Sequence, residues 1–118
     1  MEVLNTTLAA LATPRRREIL RLVWMDERSA GAIHGALPDV TFGAVSQHLR
    51  VLRDAGLVAC RVEGRRRLYR ARRRALGPFR GALEAHWAGA LDRLKLLAEL
   101  EEARRGPRAG FRAHRRRR

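Results

Sequence analysis

The chain has 118 residues, the size of one ordinary domain, and 46% of them are apolar, enough for a modest core. Lys and Arg number 26 and Asp and Glu number 12, so the formal net charge is +14 at pH 7. Such a positive excess predicts a polyanionic partner: DNA, RNA or an anionic membrane surface. A single cysteine excludes an intrachain disulfide, and no apolar run approaches the ~18 residues that a membrane-spanning helix needs. We therefore expect a soluble intracellular nucleic-acid binder with no membrane partner.

Leucines at steps of three and four predict a short helix near the start of the chain. They are Leu4, Leu8 and Leu11. Thr13 followed by Pro14 predicts the start of a second helix, which would run over residues 14–25. Ser29 predicts the N-cap of a third, short helix that ends before Pro38. Three short helices within about 37 residues indicate a compact helical module.

The next segment predicts a helix with one distinctive polar face. Thr41 would cap a helix over residues 42–55, and Gly56 stands where a left-handed C-terminal residue is favoured. Spacing at 100° per residue places an apolar set inward: Val45, Leu49 and Leu52. The opposite face carries small and hydrogen-bonding residues: Gly43, Ser46, Gln47 and Arg50. Glutamine and arginine can hydrogen-bond adenine and guanine edges in a major groove, although an ordinary amphipathic helix with a solvated polar face is the alternative.

A β-hairpin is predicted directly after this helix. Residues 57–62 are rich in β-forming side chains, Glu63-Gly64 makes a turn, and residues 65–71 form the return strand. Three adjacent arginines lie at its tip: Arg65, Arg66 and Arg67. Such a hairpin after a helix-turn-helix is a wing, and we expect its arginines to contact the DNA backbone or a narrow minor groove rather than only solvent.

A long helix is predicted after Gly77-Pro78. Its apolar stripe recurs in steps of three or four over about 25 residues: Phe79, Leu83, Trp87, Leu91, Leu94 and Leu97. The hairpin and the short helices leave little core for so long a stripe to cover. We expect the stripe to pair with a second copy of the chain, together with the first helix, although burial within one chain is the alternative.

The C-terminal residues 104–118 contain eight arginines and one histidine but no acidic residue. They have little apolar surface to bury, so we expect a disordered basic tail that attracts phosphate without sequence preference. Residues 1–103 are expected to form the folded domain.

The element order and four stretches of sequence resemble the ArsR-type winged helix-turn-helix repressors. The stretches are LATPRRREILRLV, ERSAGAI, AVSQHLRVLRDAGLV and RVEGRRRLYRA, which together span residues 11–71. The resemblance implies a mainly α winged helix-turn-helix fold with a small β-hairpin, and a homodimer formed through the first and last helices. It also implies a bacterial cytoplasmic repressor, nucleoid-associated when bound to double-stranded DNA, that recognises an imperfect palindrome.

The resemblance leaves the effector unknown. Metal-sensing members carry a Cys-x-Cys pair near the helix before the recognition helix, but residues 29–37 contain no cysteine. Other members use histidine and carboxylates of the last helix, where His86 has no second ligand on its face. We therefore expect no metal and no cofactor. His34 is expected to be a structural or surface histidine, and Cys60 a small hydrophobe rather than a redox switch.

Two other functional classes are less consistent with the residues. No nucleophile and base, paired carboxylates or phosphate-binding loop can be assembled, so we expect no enzymatic activity. The alternative is a non-specific architectural DNA- or RNA-binding protein driven by the basic wing and tail. Tyr69 is the only aromatic residue of the hairpin, whereas RNA and single-strand readers usually stack bases on several.

The expected DNA contacts fall into two groups. For base reading we expect Ser46, Gln47 and Arg50, with Thr41 and Gly43 allowing a close approach of the helix start. For the DNA backbone we expect the three wing arginines and His48, which would otherwise pack. Arg15, Arg16 and Arg17 could contact the backbone or simply be solvated.

Overall fold

The computed structural model describes residues 2–105, apart from the side chains of Val3, Asp92 and Arg105. Five α-helices and three β-strands lie within this range. In chain order they are α1 (Glu2–Leu11), α2 (Pro14–Leu22), β1 (Arg28–Ser29), α3 (Ala30–Gly35), α4 (Phe42–Asp54), β2 (Val58–Glu63), β3 (Arg66–Ala71) and α5 (Phe79–Arg105), with a 3-10 turn at Arg73–Leu76. The chain forms two compact units, of which the first ends at Gly81 and the second starts at Ala82, inside α5. The fold is mainly α with a small antiparallel sheet, as predicted.

The core of the first unit lies between α2, α3 and α4. α1 packs on α2, and both α2 and α3 pack on α4. The predicted inner face of α4 is fully buried, with Val45, Leu49 and Leu52 at most 1% exposed. Burying each such leucine stabilises the fold by roughly 1.5–3 kcal/mol, so this face holds α4 firmly on the core. The opposite face of α4 is thereby directed outward.

Both ends of α4 are determined by local signals. At the start, the Thr41 hydroxyl oxygen accepts a hydrogen bond from the Ala44 N–H at 3.0 Å. At the end, Gly56 has a φ of +78°, its N–H donates to the Arg53 carbonyl, and the Leu57 N–H donates to the Leu52 carbonyl, each at 2.9 Å. This pair of bonds is the Schellman motif, in which a left-handed glycine ends the helix. The predicted cap and the predicted glycine are both confirmed.

The sheet contains one more strand than the sequence predicts. Its order is β1-β3-β2, with β3 antiparallel to both neighbours. Glu63 pairs with Arg66, which leaves a two-residue loop whose first residue, Gly64, has a φ of +64°. Positive φ at the first loop position only is the type II′ arrangement, which matches the twist of a hairpin. β1 was missed because two residues cannot show an alternating pattern.

Two helix ends differ from their predicted positions. α2 ends at Leu22 rather than Met25, because the Val23 carbonyl accepts from the Ala71 N–H of β3 at 2.9 Å and so leaves the helical ladder. Val23 and Trp24 are nevertheless buried, as their apolar pattern suggests. α5 extends to Arg105, two residues into the expected tail. The Arg104 guanidinium donates there to both carboxylate oxygens of Glu101.

The second unit consists of the remainder of α5 as far as the described residues reach. Residues 106–118, most of the predicted basic tail, lie outside them. Among residues 2–105 there is no helix with the length and apolar character required to cross a membrane.

Candidate nucleic-acid interface

The outward face of α4 displays the residues predicted to read bases. Ser46, Gln47 and Arg50 are all exposed, and so are Thr41 and Gly43 at the start of the helix. Arg50 forms no ion pair with any residue that the structure describes. The face therefore offers an amide and a guanidinium to an external partner, while the Thr41 hydroxyl is engaged as the helix cap.

Gly43 is not required by packing within the protein. A Cβ at this position would approach only the Thr41 hydroxyl oxygen, at 4.0 Å. The Cβ of an alanine would thus fit the folded chain without a clash. A small residue here instead allows a second molecule to approach the first turn of α4 closely.

The three wing arginines are not equivalent. Side chains alternate across a strand, so Arg67 shares a face of the hairpin with Tyr69, while Arg66 lies on the other. Arg66 donates to the Glu63 carboxylate at 3.1 Å on that second face. Arg65 occupies the tip, next to Gly64 in the loop. All three arginines border a cavity beside the buried tyrosine, but of the three only Arg67 also borders the cavity that Arg50 and Arg53 line.

An open groove separates α4 from the wing. One cavity of about 480 Å³ is lined by Arg50 and Arg53 of α4 and by Arg67 and Tyr69 of β3. A second cavity of about 530 Å³ shares Arg67 and Tyr69 with the first and continues past the start of α4 to the wing tip. The helix that is predicted to read bases and the basic wing thus border one continuous groove.

Arg53 was missed by the sequence analysis, although a signal was present. Ser46, Arg50 and Arg53 are spaced at i, i+4 and i+7, which places all three on one helical face. Extending the polar face by one more turn would have included Arg53.

His48 was expected to contact the DNA backbone or otherwise to pack, and in the structure its side chain lies toward α2. Its ring is half-buried, and Nδ1 is 3.4 Å from a guanidinium nitrogen of Arg16 in α2. Burial lowers the pKa of His48, and the positive charges of Arg16 and Arg15 lower it further. His48 lies two residues after Ser46, about 200° around the helix, so it turns toward α2 and does not join the outward face.

The arginine run in the first turn of α2 has a structural role that neither sequence interpretation included. Arg16 donates to the Ala10 carbonyl at 2.6 Å and to the Ala9 carbonyl at 3.1 Å, and Arg17 donates to the Leu11 carbonyl at 2.7 Å. These are carbonyls at the C-terminal end of α1, which lack partners within the helix. Arg15 instead pairs with Glu18 and Asp39.

The apolar residues predicted for the dimer interface differ in exposure. Leu4 (44%), Leu8 (52%), Leu91 (65%) and Leu94 (64%) are open to solvent in the single chain. Phe79 and Trp87 are half-buried. Leu11 (7%) and Leu83 (6%) are buried within the chain, so they do not offer a partner the open surface that their periodicity suggested.

The single cysteine of the chain lies on the wing. Cys60 is half-buried and is the cross-strand neighbour of Tyr69. Burial raises the pKa of Tyr69, and the Cys60 thiol raises it further. Within the described part of the chain, no three His, Cys, Asp or Glu residues are grouped closely enough to hold a metal ion.

Comparison with known proteins identifies the architecture. Residues 11–61 match the family model of a helix-turn-helix domain. The chain is 37% identical over 92 residues to the HTH-type transcriptional regulator Rv2034 of Mycobacterium tuberculosis, which covers 78% of this chain and 85% of that protein.

Two solved structures share both fold and sequence. An ArsR-like transcriptional regulator from Rhodococcus sp. RHA1 is 31% identical with a TM-score of 0.61, over 84% of this chain and 92% of that one. The homodimeric winged helix-turn-helix DNA-binding domain of Mb0332 from Mycobacterium bovis, a possible ArsR-family regulator, is 32% identical with a TM-score of 0.59, over 77% and 80%. Helix order, wing and sequence agree: the chain belongs to the ArsR-type winged helix-turn-helix transcriptional regulators.

Proposed function

We propose that this protein binds double-stranded DNA sequence-specifically as a homodimer and represses transcription from a palindromic operator. The observation that carries the proposal is the outward face of α4, where Ser46, Gln47 and Arg50 are exposed beside a basic wing. A protein that bound only the DNA backbone would not need hydrogen-bonding side chains of this kind at the centre of a helix that its core holds in place.

The outward face of α4 fits a major groove, which is ~12 Å wide and admits one helix. Gln47 would bond adenine and Arg50 would bond guanine, each through two hydrogen bonds, and the Ser46 hydroxyl would contact either base. The open space around Gly43 would let the first turn of α4 lie close to the groove.

The wing would hold the DNA backbone beside that groove. Arg65 and Arg67 are exposed and form no ion pair with a described residue, so they can contact phosphate directly. Arg66 is paired with Glu63, but both side chains are more than half exposed. An exposed pair of this kind stabilises a protein little, so Arg66 can exchange its carboxylate for a phosphate.

A second copy of the chain would cover the exposed leucines. Leu4 and Leu8 lie on α1 in the first unit, and Leu91, Leu94 and Leu97 lie on α5 in the second. The similar domain from Mycobacterium bovis is a homodimer. A two-fold dimer would present two α4 helices to half-sites one helical turn apart, ~34 Å.

Selection of duplexes from a random library by the full-length protein tests this proposal. We expect a two-fold symmetric sequence with half-sites about 10 base pairs apart, bound roughly 10³-fold more tightly than a scrambled duplex of equal length. A reporter gene carrying the selected site at its promoter should be less active when the protein is produced. Recovery of no enriched sequence would contradict sequence-specific binding and favour the architectural alternative, and increased reporter activity would contradict repression.

A further inference from the structure

Three guanidinium groups line the groove between α4 and the wing: that of Arg50 on the outward face of α4, and two more that come from different elements. Arg53 reaches it from the last turns of α4, and Arg67 reaches it from β3. The buried side chains of Leu49 and Tyr69 form the floor. Asp54 also lines this cavity, but it forms no ion pair with either arginine. The groove therefore brings together more positive than negative groups, and its arginines form no ion pair with a residue that the structure describes.

The Tyr69 hydroxyl lies within the electrostatic reach of both guanidinium groups that border the cavity from different elements, those of Arg53 and Arg67. Burial and the Cys60 thiol raise the pKa of Tyr69, while the charges of Arg67 and Arg53 act on the same hydroxyl in the opposite direction. Two like charges near one group repel each other. An anion placed between them would relieve that repulsion.

The position of the groove indicates which anion this is. With α4 in a major groove and the wing beside the adjacent minor groove, one strand of the DNA backbone separates the two elements. That strand must cross the groove that Arg53 and Arg67 border. Guanidinium groups match phosphate oxygens with paired N–H donors, so two of them can grip one phosphate from opposite sides.

We propose that Arg53 and Arg67 together bind a single phosphate group, supplied by the DNA backbone between α4 and the wing. This inference rests on the proposed DNA-binding function and assigns Arg53 a role in it. Because both residues would hold one ligand, they act as a pair rather than as independent contacts.

The test compares Arg53→Gln, Arg67→Gln and the double variant in the full-length protein. Arg70→Gln is the matched control, because Arg70 is exposed on the same strand but on the face opposite Arg67. Binding is measured by fluorescence anisotropy on the selected duplex and on a scrambled duplex, across a series of NaCl concentrations. Thermal melts confirm that each variant is folded, as expected for exposed side chains.

Because the proposed dimer carries two copies of the site, each single variant removes two phosphate contacts from the complex. We expect it to lower the salt slope by about 1.8 and to weaken binding roughly 60-fold at about 0.1 M salt. The loss should be equal on both duplexes, since a phosphate carries no sequence information. The fold loss of affinity in the double variant should be well below the product of the two single-variant losses, because the residues share one ligand. The Arg70→Gln control should lower the salt slope less than either single variant does.

Two outcomes would overturn the proposal. Single losses no larger than that of Arg70→Gln would show that no phosphate lies in the groove. A double loss equal to the product would show that the arginines bind separate phosphates. A wild-type protein that binds both duplexes equally contradicts sequence-specific function instead, so the two failures are distinguishable.

A competition measurement distinguishes the two possible sources of the phosphate, the DNA backbone and free phosphate. Sodium phosphate and NaCl are compared as competitors at matched ionic strength. Equal weakening of DNA binding supports the backbone as the source. If sodium phosphate weakens DNA binding by the wild type more than NaCl does, and this difference disappears in the double variant, then free phosphate occupies the same pair of arginines. That result also supports the site.

Discussion

At the scale of single residues, the arginines of this protein divide into two groups with different physical roles. One group satisfies carbonyls at helix ends: Arg16 and Arg17 on α1, Arg28 on the Leu22 carbonyl of α2, and Arg72 on the Gly56 carbonyl after α4. Cations at helix C-termini are favoured by the helix dipole as well as by the hydrogen bonds. The other group, which includes Arg50, Arg53 and Arg67, is exposed beside the groove. Net charge alone therefore overstates the number of arginines available to DNA.

Replacement of Gln47 by alanine is expected to relax sequence preference at one position of each half-site. The loss of a two-bond contact to adenine corresponds to about 1–3 kcal/mol of discrimination, while binding to a scrambled duplex should barely change. Competition between the selected duplex and single-base variants of it measures the effect. Unaltered discrimination at every position would show that Gln47 does not read a base.

The environment of His48 predicts a pH dependence of stability. Its pKa is lowered in the folded protein, first by burial and then by Arg16 and Arg15, from the ordinary value of 6.5. The unfolded chain thus binds the proton more tightly, so the stabilising contribution is complete above pH 6.5 and is lost as the pH falls toward the lower folded pKa.

The check is the melting temperature of the wild type and of His48→Gln between pH 7.5 and 5, a range that brackets the ordinary histidine pKa of about 6.5. We expect the wild type to lose stability faster than the variant as the pH falls, because glutamine does not titrate. Parallel curves for the two proteins would show that His48 is not the responsible group.

At the scale of elements, the junction between α4 and the wing determines how the two elements proposed to contact DNA are arranged. The Arg72 N–H donates to the Leu57 carbonyl at 2.8 Å, and the Arg72 guanidinium donates to the Gly56 carbonyl at 2.9 Å. These bonds tie the end of the hairpin to the end of the recognition helix. Gly56 enables the arrangement, since its φ of +78° reverses the chain immediately after α4.

Gly56→Ala is therefore expected to destabilise the protein by about 1–2 kcal/mol, the usual cost of a left-handed conformation for a residue with a Cβ. Steric crowding adds little, because the nearest atom to the new Cβ is 3.5 Å away. Gly81→Ala is the matched control: Gly81 lies inside α5 with open space around it, and alanine should stabilise the helix by roughly 0.5–1 kcal/mol. Urea unfolding measures both changes, and equal signs for the two variants would contradict this account.

At the scale of the whole molecule, several leucines remain exposed because contacts within a single chain do not bury them. Three of them lie on the predicted stripe along the second half of α5: Leu91, Leu94 and Leu97. Contiguous apolar surface of this kind is typical of an interface. Burial against a second copy of the chain is the explanation that fits the proposed two-fold operator.

Leu91→Glu is expected to convert the dimer into monomers, because it places a charge in the apolar stripe. Leu96→Glu is the control, since residue 96 lies about 140° around the helix from residue 91 and outside the stripe. Light scattering measures the oligomeric state of both variants. A dimer that survives Leu91→Glu would exclude this part of α5 from the interface.

Features that depend on close neighbours in the chain were predictable from the sequence. The Thr41 and Ser29 caps, the Gly56 helix end and the inner and outer faces of α4 all follow from residues no more than a few positions apart. Such signals arise from backbone geometry and helical periodicity, which any short stretch carries with it. The same holds for the hairpin turn at Gly64.

Contacts between distant parts of the chain emerged only in the tertiary structure. Arg16 meets His48 across 32 positions and Arg61 binds Glu27 across 34, while β1 exists only because β3 lies beside it. Arg53 and Arg67 likewise border one groove only because α4 and the wing are packed together. Periodicity specifies which way a side chain faces along its own element, but the partner it meets depends on how the elements pack, and no local pattern encodes that.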